Sequence, residues 1–439
     1  MKRFYSLFLL FIAIILAFSS CSDDSTSPNN KERGKAVKFH AGEQVDTLDL
    51  FDELLTIDTY HPTLETFMDI LDSLKGVENL SRLFVPLASK FDYTSLNIKK
   101  QTTQLSGLVL FPFSLNKSEV SNCPVICLAH ATQMLRDLAP SKFNYINIKD
   151  FEEVTIGLAI AALGYVVVMP DYQGMGDDIS EFHPFCNAEL LGIASADMIS
   201  AIRDFATKTP DKCPFGLSNE NFFIGYSEGG FVSLAATREF EKHYPNFELT
   251  GSVPMDGPYD ISNTMAGVML ADTAFPVPYF LPYVIRGYQE VYGSPFSWDS
   301  VLNSEYINKI PPLMDGYTKT DVINAAMPQD RVLRKIFTNS FIEKLQNPNS
   351  DVQQLLYKNN LCYGWTPKTQ VHLIHCLLDD CVPYNNTAVA YEQFRNVQQL
   401  TNVTKEEPEL YINIGKTIHV NAAPGCFLFG MIWIAEHSK

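Results

Sequence analysis

The spacing of apolar positions changes along the chain and predicts two kinds of secondary structure. From residue 96 onward, short apolar runs alternate with segments whose apolar residues recur at helical spacing. We predict helices over residues 151–163, followed by a capping Gly164, and over residues 189–207. The predicted strands are residues 96–103, 105–113, 124–129, 165–169, 222–225, 249–255, 371–377 and 410–414. This alternation predicts an α/β fold with a mostly parallel sheet and helices on both faces.

The alternation breaks between residues 260 and 367. Residues 275–292 are dense in proline and aromatic side chains, residues 331–345 have helical spacing, and Ser350 with Gln353 forms a capping-box pattern. A stretch of roughly a hundred residues is too long for a loop, so we predict a helical cap inserted before the late strand. The alternative is that the inserted residues form a structural subdomain far from any functional site. The predicted domains are residues 96–261 (first part of the core), 262–366 (cap) and 367–439 (second part of the core).

The first 95 residues divide into three predicted segments. Lys2 and Arg3 precede an apolar run that is too short to span a bilayer comfortably and that ends at small residues and Cys21. Residues 1–21 resemble a bacterial lipoprotein signal peptide, which implies a lipidated Cys21 and a place in the cell envelope. An ordinary secretory signal is the alternative. Residues 22–44 are predicted to form a flexible tether, with an acidic start that resembles the export tags of Bacteroidetes-type lipoproteins, and residues 45–95 a helical preamble.

Composition excludes some partners and leaves others open. The 439 residues carry a formal net charge of −17, which argues against nucleic acid because its binding depends on cationic contacts to phosphate. No pair of metal-ligating residues has a spacing supported by a second pair, and no nucleotide-binding glycine pattern is present, so neither a metal nor a cofactor is predicted. Cys186 and Cys213 form a candidate disulfide. Nothing in the sequence predicts an oligomeric state.

A candidate nucleophile follows one of the predicted strands. The apolar residues 222–224 run directly into Gly225-Tyr226-Ser227-Glu228-Gly229, and a helical segment follows. A strand that turns sharply into a helix lifts the residue at the corner clear of the sheet, and the glycines allow the close backbone approach that this turn needs. The helix also places its positive end near the serine oxygen. Ser227 is therefore predicted to be an activated nucleophile.

A serine nucleophile needs a base and an acid that orients the base. His419 follows the last predicted strand, whereas the other histidines lie on inner strands, loops or a helix end. Two adjacent carboxylates, Asp379 and Asp380, follow the late strand, and Asp256 ends an earlier one. The sequence thus predicts His419 as the base and leaves the acid among these three carboxylates.

The oxyanion that forms when a serine attacks a carbonyl group needs backbone amides aimed at it. The residue after the nucleophile, Glu228, is predicted to supply one amide. The other is expected from the loop after the strand 124–129, with Thr132 as the first candidate and Ala131 as the second. In the same loop, His130 is expected to hold the loop in place rather than to act through its side chain.

These motifs together resemble the α/β-hydrolase superfamily. Within it, the strand Ser106-Gly107-Leu108-Val109, the insertion and the loop Pro170-Asp171-Tyr172-Gln173-Gly174-Met175-Gly176 resemble secretory lipases and related esterases. The resemblance covers residues 96–439. It implies Asp379 as the acid, because the segment from residue 375 matches the family's His-Gly-x-x-Asp-x-x-Val-Pro, with Cys376 in place of glycine. The oxyanion loop likewise resembles a His-Gly-x motif, with Ala131 in place of glycine.

The sequence therefore predicts a lipid-anchored serine hydrolase that cleaves small-molecule or lipid carboxylic esters through an acyl-enzyme. Tyr226 and the aromatic residues Tyr279, Phe280 and Tyr283 of the predicted cap are expected to line an apolar substrate pocket. One alternative is a serine peptidase or amidase of the prolyl-oligopeptidase type, although no repeated blade pattern is present. A second is a non-catalytic surface lipoprotein that binds glycans or lipids on the same scaffold.

Overall fold

The structure is a computed structural model and describes residues 33–40, 84–113, 120–409 and 416–439. The predicted signal peptide with Cys21 and the predicted strand 410–414 lie outside the described residues, as do most of the predicted tether and preamble. The described strands form one nine-stranded sheet in the order β1-β2-β3-β5-β4-β6-β7-β8-β9. The strands are β1 Ala36–Phe39, β2 Val85–Leu96, β3 Thr102–Phe113, β4 Cys123–Ala129, β5 Val166–Pro170, β6 Leu217–Tyr226, β7 Gly251–Met255, β8 Gln370–Ile374 and β9 Val403–Glu406.

The sheet has an antiparallel edge and a parallel centre. Strands β1, β2, β3 and β5 pair antiparallel with their neighbours in that order, and all pairs from β5 to β9 are parallel. Because β4, β6, β7 and β8 run in the same direction, their carboxyl ends meet at one edge, where sites of open α/β sheets lie. The predicted mostly parallel sheet is confirmed.

Helices cover both faces of the sheet, as predicted. Those of the core are α1 Glu152–Ala162, α2 Ala188–Lys208, α3 Glu228–His243, α10 Asn385–Tyr391, which continues as the π-helix Glu392–Val397, and α11 Ile418–His437. Helices α1 and α11 pack on one face against residues such as Ile126 and Val167. Helices α2 and α3 pack on the opposite face against residues such as Cys127 and Val168. The strands between them are buried on both sides, which explains their continuous apolar sequences.

The segment between β7 and β8 is helical and fully described. After the π-helix Ile261–Met265 it contains α4 Ala266–Leu270, α5 Phe280–Tyr292, α6 Trp298–Val301, α7 Thr320–Ala326, α8 Asn339–Gln346 and α9 Asp351–Tyr357. Ser350 accepts a hydrogen bond from the Gln353 amide at 3.0 Å, so the predicted cap of α9 is confirmed. The predicted helix 331–345 is wrong in extent. It is a short 3-10 turn, Leu333–Ile336, and then α8, whose start is fixed by a hydrogen bond of 3.1 Å from the Phe341 amide to Thr338 Oγ1.

Three predictions near the N-terminus are wrong for the described residues. Residues 85–95 belong to strand β2 and not to a helical preamble. The predicted strand 96–103 is mostly the turn between β2 and β3, because the Asn97 side chain accepts the amides of Lys99 and Gln101. Within the predicted tether, residues 36–39 form β1 at the sheet edge, and the preceding Arg33 pairs with the buried Asp197 at 2.8 Å.

The candidate disulfide is also wrong. The eight described cysteines are free, including Cys186 and Cys213. These two residues lie at opposite ends of the 21-residue helix α2. A helix of that length spans about 30 Å, whereas the Cα atoms of a disulfide lie within about 7 Å of each other.

Among the described helices, α11 is long and apolar enough to cross a membrane by length and composition. In the fold, however, 67% of its apolar window is buried, and Phe427 and Ile434 belong to the core on one face of the sheet. Its apolar sequence is therefore explained by core packing.

Candidate active site

The corner between β6 and α3 has the geometry of a nucleophile elbow. Ser227 adopts φ 59° and ψ −120°, a conformation that L-residues rarely take. Its amide donates to Met255 O at 2.9 Å, which fixes the corner against β7. A Cβ atom on Gly229 would lie 2.0 Å from Ala129 O, and one on Gly230 would lie 2.0 Å from Met255 O. Only glycine therefore allows α3 to start this close to the sheet.

The structure brings Ser227, His419 and Asp379 into one hydrogen-bonded line. Ser227 Oγ lies 2.8 Å from His419 Nε2, and His419 Nδ1 lies 2.5 Å from Asp379 Oδ2. Since a carboxylate only accepts hydrogen bonds, Nδ1 carries the proton of a neutral imidazole, and Nε2 is left to accept the serine proton. All three residues are at least nine-tenths buried. The arrangement joins a nucleophile, a base and an orienting acid.

The loop after β8 holds the acid in place. Asp379 Oδ1 accepts the amides of Cys381 and Val382, both at 2.8 Å. Burial opposes ionisation of Asp379, but the facing His419, by charge and by hydrogen bond, lowers the pKa of this carboxyl below its ordinary value. The adjacent Asp380 is exposed, and its Oδ1 accepts the backbone amide of His419 at 3.0 Å.

The third candidate acid, Asp256, lies behind Asp379 and does not hydrogen-bond to His419. Its carboxyl oxygens accept from the Cys376 amide at 3.0 Å and the Cys426 thiol at 3.2 Å. Burial and the neighbouring charge of Asp379 raise the pKa of Asp256 well above its usual range. Of these two neighbouring carboxyls, Asp256 therefore keeps a proton more readily than Asp379 does.

Two groups of potential metal ligands occur among the described residues, and both include Asp379. In the first group, with Asp256, the imidazole of His375 already bonds Thr387 Oγ1 at 2.7 Å and Val382 O at 2.9 Å. Burial lowers the pKa of His375 to about 4, so it is neutral. In both groups Asp379 is engaged with His419. Each group therefore contains a ligand that is already engaged, and we propose no metal at either.

The two predicted oxyanion candidates in the loop after β4 differ in the structure. The Ala131 amide donates to both carboxylate oxygens of Glu153, each at 2.9 Å, so it is engaged, and the second candidate is wrong in this geometry. Thr132 borders both cavities that reach Ser227. Among the described residues its amide has no acceptor. Thr132 and Glu228, at the N-terminus of α3, thus leave two amides beside the nucleophile.

Glu153 is a residue of the candidate site that sequence reasoning missed. It lies on α1, holds the Ala131 amide and lines the larger cavity at the site. Burial raises the pKa of its carboxyl to about 8, against the effect of the Ala131 hydrogen bond. The only sequence signal is a carboxylate in the first turn of an otherwise apolar helix, which is ordinary at a helix N-terminus.

The loop after β5 supports the oxyanion loop from behind. Tyr172 stacks on the His130 ring with centroids 4.2 Å apart, and its hydroxyl donates to His130 O at 3.3 Å. Asp171 accepts from Ser106 Oγ at 2.6 Å and from the Ser141 amide at 2.8 Å. Burial lowers the pKa of His130 to about 4, so its imidazole is neutral where it packs against Tyr172. This contact explains the Asp-Tyr pair in the sequence motif.

Two cavities of different character meet at Ser227. The larger, about 490 Å³, has a wall of mixed polarity that includes His419, Tyr226, Glu153, Lys416, Tyr279 and Phe280. The smaller, about 60 Å³, lies under the helical insertion and is bordered mainly by apolar side chains, among them Phe185, Met265, Val268, Phe275, Phe280 and Val284. Ser227 and Thr132 border both cavities, whereas His419 borders only the larger.

Of the predicted pocket residues, Tyr283 is placed differently from the others. Tyr226, Tyr279 and Phe280 line the larger cavity, but Tyr283 is not among the residues that line either cavity. It is 1% exposed and its hydroxyl donates to Gln133 O in the oxyanion loop at 2.8 Å. The expectation that Tyr283 lines the pocket is therefore wrong, because the ring turns into the core on the inner face of α5.

Comparisons with known proteins agree with this geometry. The sequence model of a family described as secretory lipase matches residues 139–424, which is more than half of the chain. Among curated proteins, none matches the sequence significantly. Solved structures match over most of the chain. A Legionella pneumophila protein, provisionally described as a hydrolase, is 26% identical with TM-score 0.70, over 84% of this chain and 94% of its own.

Two further structures share the fold. The rice cell wall degrading esterase LipA from Xanthomonas oryzae is 21% identical with TM-score 0.71, over 93% of this chain and 100% of its own. Candida antarctica lipase A is 16% identical with TM-score 0.55, over 77% of this chain and 78% of its own. At these identities the likeness concerns the α/β-hydrolase fold.

Proposed function

Because this chain belongs to the secretory lipase family, we propose that it hydrolyses carboxylic esters through an acyl-enzyme formed on Ser227. The family indicates an exported ester hydrolase of lipase or esterase type. The observation that carries the finer proposal is the line from Ser227 Oγ through His419 to Asp379, at 2.8 and 2.5 Å, beside two cavities. This line supplies a nucleophile, a base and a partner that fixes the tautomer of the base.

In the proposed reaction, Ser227 Oγ attacks the ester carbonyl carbon and its proton passes to His419 Nε2. The oxyanion receives the amides of Glu228 and Thr132, and Asp379 stabilises the imidazolium. Collapse of the tetrahedral intermediate breaks the bond to the alcohol oxygen, which takes the proton from His419. Water then attacks the acyl carbon and gives a proton to His419. The bond between the acyl carbon and Ser227 Oγ breaks, Oγ takes the proton from His419, and the carboxylic acid is released.

The two cavities suggest how the substrate lies. His419 must reach the leaving oxygen, and it borders only the larger cavity, so we assign the alcohol part to that side. The acyl part then enters the smaller, apolar cavity under the predicted cap. Each methylene buried there contributes about 0.8 kcal/mol, close to a fourfold gain. Because this cavity is only about 60 Å³, we expect specificity to rise over the first few acyl carbons and then level off.

A panel of esters of graded acyl length, each with one small and one bulky alcohol, tests this proposal. The wild type should turn over short acyl esters of both alcohols, and Ser227→Ala should turn over none. Equal rates on matched amides would favour the peptidase alternative. Failure of a fluorophosphonate probe to label Ser227, together with no ester turnover, would favour the non-catalytic alternative.

We also propose that the exported protein is anchored through a lipidated Cys21, as the sequence motif predicts. The motif's basic start, short apolar run and small residues before Cys21 support this assignment. Cell fractionation of a Cys21→Ser variant tests it. The variant should leave the membrane fraction with its esterase activity intact, whereas a variant that stays in that fraction would contradict the anchor.

A further inference from the structure

We propose that Tyr283, on helix α5 of the predicted cap, is a positioning residue for the oxyanion hole, so that cap packing controls the chemical step. This inference rests on the proposed esterase function. Tyr283 touches neither cavity that reaches Ser227. Its effect would therefore act through the backbone amides that receive the oxyanion.

The first contact is with the loop after β4. The Tyr283 hydroxyl donates to Gln133 O at 2.8 Å, and the donor and acceptor lie 150 residues apart in sequence. Gln133 directly follows Thr132, whose amide is one of the two proposed oxyanion donors. The Gln133 carbonyl belongs to the peptide that joins Gln133 to Met134, so this hydrogen bond anchors the loop one residue beyond Thr132. The anchor limits how far Thr132 and its amide can move away from Ser227.

The core holds the same loop at a different place. Glu153 binds the Ala131 amide and Tyr172 stacks on His130, so both core contacts lie before Thr132 in sequence. The Tyr283 contact lies after it. Thr132 is thus held between a contact from the core and a contact from the inserted helices. Losing either contact should let the amide move by a fraction of an ångström, which is enough to weaken an oxyanion hydrogen bond.

The second contact reaches the other proposed donor. The Tyr283 ring stacks on the His183 ring, with centroids 5.7 Å apart and planes at 29°. His183 Nε2 lies 2.7 Å from Glu228 Oε1, and both side chains are buried. The backbone amide of Glu228 is the second proposed donor. One tyrosine of the insertion therefore braces both halves of the oxyanion hole, one directly and one through His183.

The test compares Tyr283→Phe with Tyr288→Phe in the full chain. Tyr288 lies on the same helix, is fully buried and donates its hydroxyl to Cys186 O at 3.1 Å, so each variant loses one buried hydrogen bond to a backbone carbonyl. Both should melt within about 2 °C of each other. Only Tyr283→Phe should lower kcat, by about tenfold at a nearly unchanged KM. Binding of an alkyl trifluoromethyl ketone, which forms a tetrahedral adduct with Ser227, should weaken by the same factor as kcat/KM.

Amide hydrogen exchange supplies a readout that does not depend on turnover. In a Ser227→Ala background, Tyr283→Phe should speed exchange at residues 131–134, and Tyr288→Phe should not. Equal kcat and equal exchange in the two variants would overturn the inference while leaving the esterase intact. A wild-type protein with no ester turnover and no ketone adduct would overturn both the proposed function and the positioning role.

Discussion

Among the described residues, two buried carboxylate–imidazole pairs are joined by a hydrogen bond, and they differ in what the second ring nitrogen faces. His419 pairs with Asp379 at 2.5 Å, and His183 pairs with Glu228 at 2.7 Å. The Nε2 atom of His419 faces Ser227 Oγ at the wall of a cavity. The Nδ1 atom of His183 faces Gln173 O, 3.2 Å away. Both nitrogens of His183 therefore face acceptors, and neither faces a group that could give it a proton.

The residues around the two imidazoles differ in the same way, because one ring is enclosed and the other borders a cavity. The His183 ring lies beside Tyr172 and Tyr283, in a closed aromatic stack. The His419 ring lies beside Tyr226, whose hydroxyl donates to the His419 carbonyl, and one side of it remains open to a cavity. A short carboxylate–histidine contact is thus not a signature of catalysis. Access to a hydroxyl at a cavity separates the proposed catalytic pair from the pair that braces the loop.

The largest expected difference between the pairs comes from removing the imidazoles. His419→Ala and Ser227→Ala should each lower kcat by about a millionfold, as in a comparable triad. His183→Ala should retain measurable turnover but lower the free energy of unfolding by about 2–4 kcal/mol, because it leaves a cavity and an unpaired Glu228. Steady-state kinetics on a short-chain ester and urea denaturation measure both effects. A stable, inactive His183→Ala protein would contradict the division.

Changing the carboxylates should give the next largest contrast. Asp379→Ala should lower kcat by about ten-thousandfold, since the imidazole loses both its orientation and its counter-charge. Glu228→Gln keeps an acceptor for His183, so we expect less than about a tenfold loss of kcat. Steady-state kinetics of the two variants on the same ester compare the two losses of kcat. A Glu228→Gln variant as inactive as Asp379→Ala would mean that the second pair takes part in the chemistry.

A smaller effect should follow from Asp380→Ala. This carboxylate accepts the His419 amide at the start of α11, so its loss should let the base shift slightly. We expect kcat to fall several-fold and the free energy of unfolding to fall by about 1 kcal/mol. The conservative variant Asp380→Asn keeps an acceptor and should restore most of both. An Asp380→Ala variant as inactive as Asp379→Ala would show that the acid is assigned to the wrong residue.

The last prediction concerns stability and not turnover, at Glu153, a partly buried carboxyl that has no imidazole partner. Its folded pKa of about 8 lies above the ordinary value of 4.5, so the folded state holds a proton that the unfolded chain has released between these values. The contribution of Glu153 to stability is thus complete below pH 4.5 and is lost as the pH rises towards 8. Glu153→Gln, which cannot ionise and keeps an acceptor for Ala131, should become more stable relative to wild type over that interval.

Denaturation of wild type and Glu153→Gln at pH 5 and at pH 8 measures this change. The matched control is Glu152→Gln, which removes one carboxyl from the exposed neighbouring position on α1 and so measures the effect of losing a surface charge alone. A constant difference between wild type and Glu153→Gln across the interval would contradict the raised pKa.

The features found from the sequence are those specified by local pattern. Gly225 and Gly229 with an apolar strand predict the elbow because only glycine allows the close backbone approach there, and the structure places Ser227 at that corner. The order of the predicted strands indicated His419 and left three carboxylates as the acid, among which the resemblance to α/β-hydrolases implied Asp379. Glu153, the Asp380 contact and the orientation of Tyr283 could not be found in this way. Each of these three features depends on the direction in which a side chain points after the helices and strands have packed. The spacing of apolar residues along the sequence does not predict that direction.

The same limit explains the errors at the edges of the sheet. Strand β1 is only four residues long and mixes polar with apolar positions, so no apolar run marks it. It exists because β2 offers an unpaired edge, a feature that lies far away in the sequence. The predicted Cys186–Cys213 disulfide was wrong for a similar reason. The length of the helix between the two cysteines sets the distance between their thiols, and the spacing of cysteines alone does not show it.

The order of the three proposed triad residues along the chain has a consequence for timing during synthesis. Ser227 and His419 are 192 residues apart, and the base is made last. A growing chain that already contains the elbow and Asp379 therefore still lacks His419, the proposed base. Hydrolytic activity should therefore begin only when α11 packs onto the sheet. Until then, a chain inside the producing cell should not hydrolyse esters.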